Sequence, residues 1–304
     1  MLKDIVIVTL VCIIILLMGD KIFQPPQEFN DRLSVIPESC TTIDNNMYNE
    51  KFFVEGWWDL SSKSITSGLH ALNPVRRDYF QNLIREHVNG SNLNIVDIGC
   101  GGGILTEALA IINPSSNITG LDQSSNSIQT AADHAKQSNV NNIHYAVSSA
   151  YSIPLPDSFA DVVVMSDVLE HLHDLTLAMS EVSRILKPGG IFLYDTINRN
   201  RFTVAFIIFT EHIIKIIPRG AHDWRLFITP DEMIKLSNKV GLSSCPPSEM
   251  RGMSPRLSLK SLENIFMSIL SGNNPCNYII SDIYENGFLF GNYLGYSLKN
   301  KVRL

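Results

Sequence analysis

An alternation of short apolar runs with helical stretches, beginning at Leu93, constrains the fold of this chain more than any other feature of its sequence. The predicted strands are residues 93–98, 117–121, 143–147, 162–165 and 191–194. The predicted helices are residues 104–111, 124–138 and 175–186. Such alternation predicts a doubly wound α/β fold, in which helices cover both faces of a parallel sheet. Because ligands bind beyond the carboxyl ends of the strands in such folds, we expect the chemistry at that edge.

The turn after the first predicted strand is rich in glycine. Gly99, Gly101 and Gly103 alternate with other residues, and Asp97 comes two residues before the first of them. Glycine allows a sharp backbone turn and lets a ligand approach without the obstruction of a Cβ atom. Dinucleotide-binding folds also use a glycine-rich turn, so this turn alone does not identify the ligand.

A carboxylate at the end of the second predicted strand adds to this motif. Asp122 lies about 20 residues after Gly99, where an acid can accept hydrogen bonds from both hydroxyls of a ribose. A tight turn beside a helix-capping aspartate is the alternative without a ligand, and the presence of both motifs at this spacing disfavours it. A nicotinamide-dependent enzyme is the competing interpretation, but extra glycines stand where its pyrophosphate-binding helix would begin.

Three potential metal ligands follow the fourth predicted strand, namely Asp167, Glu170 and His171. Two carboxylates and an imidazole suit a hard or borderline cation, Mg²⁺ first, with Mn²⁺ or Zn²⁺ as alternatives. In the alternative without a metal, Asp167 caps the following helix, and Glu170 and His171 form a solvated pair.

Composition argues against several other classes of protein. The 304 residues carry a formal net charge of −6 and no basic face is evident, so no nucleic-acid partner is expected. The five cysteines are scattered and form no CxxC pair, which argues against a zinc finger. Unpaired cysteines are typical of a reducing compartment.

The amino terminus differs from the rest of the chain. Residues 5–18 are almost wholly apolar, and Pro25, Pro26 and a polar stretch separate them from the predicted α/β domain. The run is shorter than the ~18–20 residues of a comfortable transmembrane helix. No small-residue cleavage site of a signal peptide follows it. We expect an uncleaved membrane anchor over residues 1–23 and a linker over residues 24–50.

Longer motifs in the same order resemble the ubiquinone-biosynthesis O-methyltransferases, a family of class I S-adenosylmethionine-dependent methyltransferases. The resemblance covers roughly residues 52–241. Many methyltransferases share the glycine-rich loop and the KPGG turn at 187–190, whereas four other segments are more specific. These segments are WWDL (57–60), NPVR (73–76), TINRN (196–200) and PRGAHD (218–223).

The resemblance implies a Rossmann-like, doubly wound, mostly parallel seven-stranded sheet over residues 51–304, with a helical cap inserted around 199–228. It also implies that S-adenosylmethionine is the methyl donor. The family's cofactor-binding positions fall on Arg76, Gly99, Gly101, Asp122 and Ser166. Its Mg²⁺ ligands fall on Asp167, Glu170 and His171, although the family's own metal pattern begins with a glutamate.

The reaction implied by the resemblance is methyl transfer to a catechol-type hydroxyl of a polyprenylated ubiquinone precursor. A metal that holds two adjacent hydroxyls would lower the pKa of the attacking one. Glu170 and His171 are the candidate catalytic residues, with His171 able to serve as a general base. The alternatives are a methyltransferase of the same fold with another small or lipidic acceptor, and a non-catalytic scaffold of a membrane biosynthetic complex.

A long apolar segment, residues 202–217, comes after the fifth predicted strand. It predicts either a helical lid that docks on a membrane or receives a polyprenyl tail, or a buried helix of the cap. His222 and Asp223 lie on the loop beyond it, where they contact substrate or satisfy backbone groups. The expected partners are therefore a lipidic polyprenyl phenol, a membrane and proteins of a biosynthetic complex, and the inner mitochondrial membrane is one candidate location.

Overall fold

In the computed structural model, the described residues are 32–301, except for 44, 60–66, 209–210, 212–219, 256–266, 268–282, 288 and 290. The helices are α1 (Lys51–Gly56), α2 (Ser67–His87), α3 (Ile104–Ile112), α4 (Ser125–Gln137), α5 (Leu175–Ile185), α6 (Arg201–Ile208) and α7 (Pro230–Lys239). The strands are β1 (Asn94–Ile98), β2 (Asn117–Asp122), β3 (Ile143–Val147), β4 (Ala160–Ser166), β5 (Leu186–Ile197), β6 (Leu242–Ser244), β7 (Arg251–Pro255), β8 (Ile283–Asn286) and β9 (Asn292–Lys299).

The strands form one sheet in the order β3-β2-β1-β4-β5-β9-β7-β8, with β6 also paired to β9. β1 to β5 pair in parallel, and the pairs beyond β5 are antiparallel. The predicted doubly wound, mostly parallel α/β fold is therefore confirmed. The described residues form nine strands rather than seven, because β6 and β8 add three and four residues, lengths too short for an apolar pattern to indicate.

The central strands are buried on both faces, which explains their unbroken apolar sequences. All four residues of the run 162–165 in β4 are fully buried, as are Ile95 and Val96 in β1. β5 is longer than predicted, because it begins at Leu186 and pairs there with Ala160 before the register shifts. The order of the strands reverses between β1 and β4, and the carboxyl ends of these two strands thus flank the switch point where such folds bind ligands.

The predicted membrane anchor, residues 1–23, lies outside the described residues, as do residues 24–31 of the predicted linker. No helix in the described part of the chain is long and apolar enough to cross a membrane. The rest of the predicted linker packs on the domain, since Ile36 is buried against Leu226 and the Arg32 guanidinium donates to the Leu172 carbonyl at 2.6 Å. The predicted domain limits stay predictions.

The predicted cap begins with α6, in which Val204 and Ile207 are buried and Phe202 is exposed. Of the predicted lid segment 202–217, residues 209–210 and 212–217 lie outside the described part of the chain. The chain returns through a short 3₁₀ turn, Trp224–Leu226, which places the end of the cap against the domain.

The starts of three helices are fixed by side chains that the sequence supplies at the right places. Ser124 caps α4, and Asp174 caps α5 by accepting from the Leu177 N–H at 2.9 Å. At α7 the Thr229 hydroxyl accepts from the Glu232 N–H while the Glu232 carboxylate accepts from the Thr229 N–H. This reciprocal pair is the predicted capping box, and Pro230 occupies the first turn as predicted.

The cap of α7 can be tested by substitution. Thr229→Ala removes the hydroxyl that satisfies a free N–H at the helix start, so we expect a loss of about 1 kcal/mol in the free energy of unfolding. Thr229→Ser keeps the hydroxyl and should retain most of that stability. Urea denaturation followed by circular dichroism measures both, and equal losses in the two variants would contradict the assignment.

Candidate active site

The glycine-rich turn after β1 is held in shape by the end of β2. The N–H groups of Gly99 and Cys100 both donate to the Leu121 carbonyl, at 2.6 and 3.0 Å. Gly99 has a positive φ of 75°, and a Cβ atom there would lie 2.3 Å from a methyl of Val168. The residue must therefore be glycine on both conformational and steric grounds.

Asp122 fastens this turn to the start of α4. One carboxylate oxygen accepts from the Gly101 N–H and the other from the Ser124 N–H, both at 2.8 Å. Burial raises the pKa of Asp122, and these backbone hydrogen bonds oppose that shift. The predicted ribose-binding carboxylate thus lies beside the predicted cofactor loop, at the carboxyl end of β2, and its role with the ribose stays a prediction.

The two tryptophans of the WWDL segment, Trp57 and Trp58, lie over the same turn. The Trp57 ring packs on Gly101 and Gly102, where any Cβ would clash with it, and its indole N–H donates to Ser127 at 3.1 Å. The Trp58 indole N–H donates to the Gly102 carbonyl at 2.9 Å. The two tryptophans form a cover on the cofactor loop, a role that the resemblance alone had not assigned to them.

A buried ion-pair network occupies the carboxyl ends of β4 and β5. The Arg76 guanidinium, from α2, donates to Asp195 at 2.9 and 3.1 Å and forms an ion pair with Asp167. The Ser166 hydroxyl donates to the other oxygen of Asp195, and Asn292 donates to Asp167 at 2.9 Å. Although burial alone would lower the pKa of Arg76, the charges of Asp167 and Asp195 raise it above its ordinary value.

Two residues that were predicted to bind the cofactor, Arg76 and Ser166, are bound to this network instead of being free of protein contacts. Arg76 and Ser166 both donate hydrogen bonds to Asp195. Asp195 is fully buried and was absent from the sequence-based prediction. Their contact with a cofactor stays a prediction. Asp195 comes directly after the apolar run of β5, so its position at a strand end is the signal that could have identified it.

The predicted metal ligands do not converge. Asp167 adopts a positive φ of 52°, and its carboxylate is taken by Arg76 and Asn292. Glu170 is buried and accepts from the Thr196 hydroxyl at 2.8 Å. Within the described residues, no three histidine, cysteine or acidic side chains are arranged to hold a metal. These residues as placed do not fit Mg²⁺, because an arginine already neutralises the carboxylate that should begin the set.

The predicted alternative without a metal is also wrong in its details. Asp167 caps no helix; Asp174 caps α5 instead. Glu170 is only 1% exposed and is therefore not part of a solvated pair. One oxygen of Glu170 and the Nδ1 of His171 are buried without any hydrogen-bond partner in the part of the chain that the structure describes.

Two further side chains complete this region. The ring centroids of His171 and His222 lie 5.8 Å apart. The rings of Tyr48 and His171 make an edge-to-face contact with a centroid distance of 5.9 Å. Burial lowers the pKa of His171 to about 3 and that of His222 to about 4. Both imidazoles are therefore neutral near pH 7. Tyr48 belongs to the predicted linker, and nothing in that polar stretch of sequence marks it.

The site has two halves: a cofactor half formed by the glycine-rich turn and Asp122, and an acceptor half formed by Glu170, His171 and His222. Tyr48 is affected by charges of both halves. Burial raises the pKa of its phenol, and the charges of Glu170, Asp167 and Asp122 raise it further. The pKa of the phenol is thus raised both by the charge of Asp122, beside the glycine turn, and by the carboxylates that follow β4. A cofactor bound at the turn and a second substrate bound near Glu170 and His171 would meet close to this tyrosine.

The ion-pair network predicts a large effect on stability. Arg76→Met leaves the buried carboxylate of Asp195 without its cation, which should cost about 3–5 kcal/mol of unfolding free energy. Adding Asp195→Asn to that variant removes the uncompensated charge and should recover part of the loss. Chemical denaturation of the two variants measures this, and a loss below about 1 kcal/mol in Arg76→Met would contradict the network's role.

Comparison with known proteins gives the family. A model of the methyltransferase domain matches residues 96–194. A ubiquinone biosynthesis O-methyltransferase from Dinoroseobacter shibae is 35% identical over 206 residues, which is 65% of this chain and 80% of that protein. Relatives of the same name are 34% identical in Neisseria meningitidis (61% of this chain, 76% of the relative) and 37% in Pseudomonas fluorescens (62% and 78%).

Solved structures share the fold at much lower identity. YcgJ from Bacillus subtilis is 18% identical, with a TM-score of 0.52, over 74% of this chain and 99% of its own. The MccD protein is 16% identical, with a TM-score of 0.54, over 75% and 99%. Since the three sequence relatives are at least 34% identical over 76–80% of their length, this chain belongs to the ubiquinone biosynthesis O-methyltransferase family and is an S-adenosylmethionine-dependent O-methyltransferase with the class I α/β fold.

Proposed function

We propose that this enzyme transfers the methyl group of S-adenosylmethionine to a catechol-type hydroxyl of a polyprenylated ubiquinone precursor. One observation carries the proposal: Glu170 and His171 have buried polar atoms without partners among the described residues, and the Tyr48 ring, which the charge of Asp122 also affects, packs against His171. A hydroxyl-bearing acceptor would supply those partners. The names of the relatives supply the class of acceptor.

The cofactor half of the site holds the donor in this proposal. The Asp122 carboxylate accepts from the ribose hydroxyls, and the backbone at Gly99 and Gly101 lets the amino-acid part of the donor approach closely. Trp57 and Trp58 lie over the loop and exclude water from it. Excluding water and fixing the donor's orientation supply much of the rate of such a displacement.

The acceptor half provides the proton acceptor. The hydroxyl oxygen attacks the methyl carbon, the C–S bond of the sulfonium breaks, and the hydroxyl proton passes to Glu170 or His171. Burial and the charge of Asp167 raise the pKa of Glu170, which makes its carboxylate a stronger base than an exposed one. His171 is neutral, and its Nδ1 has no partner among the described residues, so it can accept a hydrogen bond.

The charges near the site suit a cationic donor. Asp167, Glu170 and Asp195 are acidic, whereas Arg76 is the cation that pairs with two of them. A sulfonium placed nearby meets a field that attracts it, and in a partly buried site such attraction is stronger than in water. Proton transfer to Glu170 during the reaction compensates for the loss of the sulfonium charge.

Membrane association belongs to the same proposal. Residues 5–18 anchor the enzyme, and the cap segment 202–217 receives the polyprenyl tail or lies on the bilayer. The exposed ring of Phe202 at the start of α6, beside the buried Val204 and Ile207, supports an apolar outer surface for the cap. Proteins of a biosynthetic complex are its proposed partners, and the inner mitochondrial membrane is one location consistent with this role.

A second acceptor is favoured by one observation. The three named relatives align with 61–65% of this chain, so more than a third of it has no counterpart in those alignments. A methyltransferase with another small or lipidic acceptor would have its specificity in such unmatched residues. Turnover of other hydroxylated acceptors in place of a polyprenyl catechol would select this function.

The first test is methyl transfer from labelled S-adenosylmethionine to a short-chain polyprenyl catechol. We expect a labelled ether product from the full-length protein. Binding of S-adenosylmethionine without any product would overturn the proposed acceptor and leave the methyltransferase activity to be found on another one.

Asp122 provides the test of the cofactor half. Asp122→Asn removes the charge from both the ribose and the loop contacts, so we expect the affinity for S-adenosylmethionine to fall about tenfold or more. Asp133→Asn makes the same change at an exposed position of α4 and should leave the affinity unchanged. Isothermal titration calorimetry measures both, and equal affinities of the two variants would sink the assignment.

The predicted metal is tested with a chelator. Because Arg76 and Asn292 hold Asp167, we expect turnover to persist in EDTA at a rate within about twofold of the untreated enzyme. Donor binding measured in parallel should not change either. Loss of turnover with EDTA and recovery with added Mg²⁺ would show instead that Asp167 leaves Arg76 to bind a metal.

A further inference from the structure

Three buried polar atoms without partners gather on one side of the site. They are an oxygen of Glu170, the Nδ1 of His171 and the Nδ1 of His222. Buried polar atoms in folded proteins are nearly always hydrogen-bonded, so each exception calls for an explanation. The ring centroids of His171 and His222 lie 5.8 Å apart, and Glu170 adjoins His171 in the chain.

His222 is held firmly although its ring makes no side-chain hydrogen bond through Nδ1. Its neighbour Ala221 packs with Met47 and Phe53. The other neighbour, Asp223, accepts from the Thr42 N–H at 3.0 Å, which ties the loop to the segment before α1. A side chain whose backbone is fixed on both sides, but whose buried nitrogen is left free, is typical of a residue positioned for a ligand.

The orientation of the His222 ring is also defined. The ring meets His171 on one side and the edge of Phe227 on another, at 6.2 Å. The Phe227 side chain is fully buried, which restricts the movement of the imidazole against it. The His222 ring thus packs between Phe227 and His171, and its Nδ1 has no hydrogen-bond partner among the described residues.

We propose that His222 is an acceptor-binding residue that, together with His171, holds the two adjacent hydroxyls of the acceptor. Each neutral imidazole has one donor and one acceptor nitrogen, so a pair of them matches two vicinal hydroxyls. His171 takes the hydroxyl that is methylated, and His222 takes its neighbour. This inference rests on the proposed function and adds the residue that distinguishes a catechol from a monophenol.

Such a pair explains selectivity as well as binding. A site built to bond a substrate hydroxyl rejects an analogue that lacks it, because the protein group is then left buried and unpaired. The second hydroxyl should therefore matter only while His222 is present. A histidine that merely fills space in the cap would not change the preference between the two acceptors.

The test compares His222→Ala with the full-length wild type on two acceptors, a short-chain polyprenyl catechol and the matching monophenol. For the catechol we expect kcat/KM to fall 10- to 100-fold, with most of the change in KM. For the monophenol kcat/KM should change less than about threefold. His222→Asn keeps a polar group near the Nδ1 position and should recover part of the catechol activity.

Two controls separate a binding role from a structural one. The dissociation constant for S-adenosylmethionine and the melting temperature should be the same in His222→Asn and the wild type. His87→Ala removes another histidine with an unpaired buried nitrogen, near Tyr296 and away from the acceptor half, and should leave catechol selectivity intact.

The outcomes divide cleanly. A wild type that does not methylate the catechol ends the proposed function, and this inference with it. An active wild type whose His222→Ala and His222→Asn variants keep full catechol preference overturns the inference alone. Equal losses on both acceptors in both variants do the same, since they indicate a structural contribution of His222.

Discussion

The ion pair between Arg76 and Asp195 is the interaction on which the site depends. It joins α2 to the carboxyl ends of β4 and β5, beside the point where the strand order reverses. A buried arginine with two carboxylates stays in place only if every charge is compensated. Ser166 donates to Asp195 and Asn292 donates to Asp167. These side chains are therefore held in place by the protein itself before any ligand binds.

The same ion pair decides what Asp167 can do. The resemblance implied a metal ligand at Asp167, but its carboxylate forms an ion pair with Arg76 and accepts a hydrogen bond from Asn292. Its backbone is left-handed, and in the described part of the chain no three histidine, cysteine or acidic side chains are arranged to hold a metal. With Asp167 held in this way, Glu170, His171 and His222 each keep a buried polar atom without a partner among the described residues.

Much of the fold could be predicted because local sequence patterns determine it. The central strands β1 and β4 contain buried apolar runs, and the glycine turn is followed by Asp122 at the end of the next strand. The capping box at Thr229 is likewise local. Asp195 has a local signal, its place directly after an apolar run, but its partner Arg76 lies 119 positions away and no local pattern pairs the two. Tyr48 could not be found in this way, because its role comes from contact with His171, far along the chain.

The division between predictable and unpredictable residues coincides with the two halves of the site. The cofactor half is built from turns directly after β1 and β2, so one stretch of sequence specifies it. The acceptor half needs the segment around Tyr48, the turn at Glu170 and the cap loop at His222 to come together in space. These segments lie outside the strands of the sheet, so under the proposed function the contacts that select the acceptor are separate from the turns that hold the donor, and they are made where Tyr48, His171 and His222 meet.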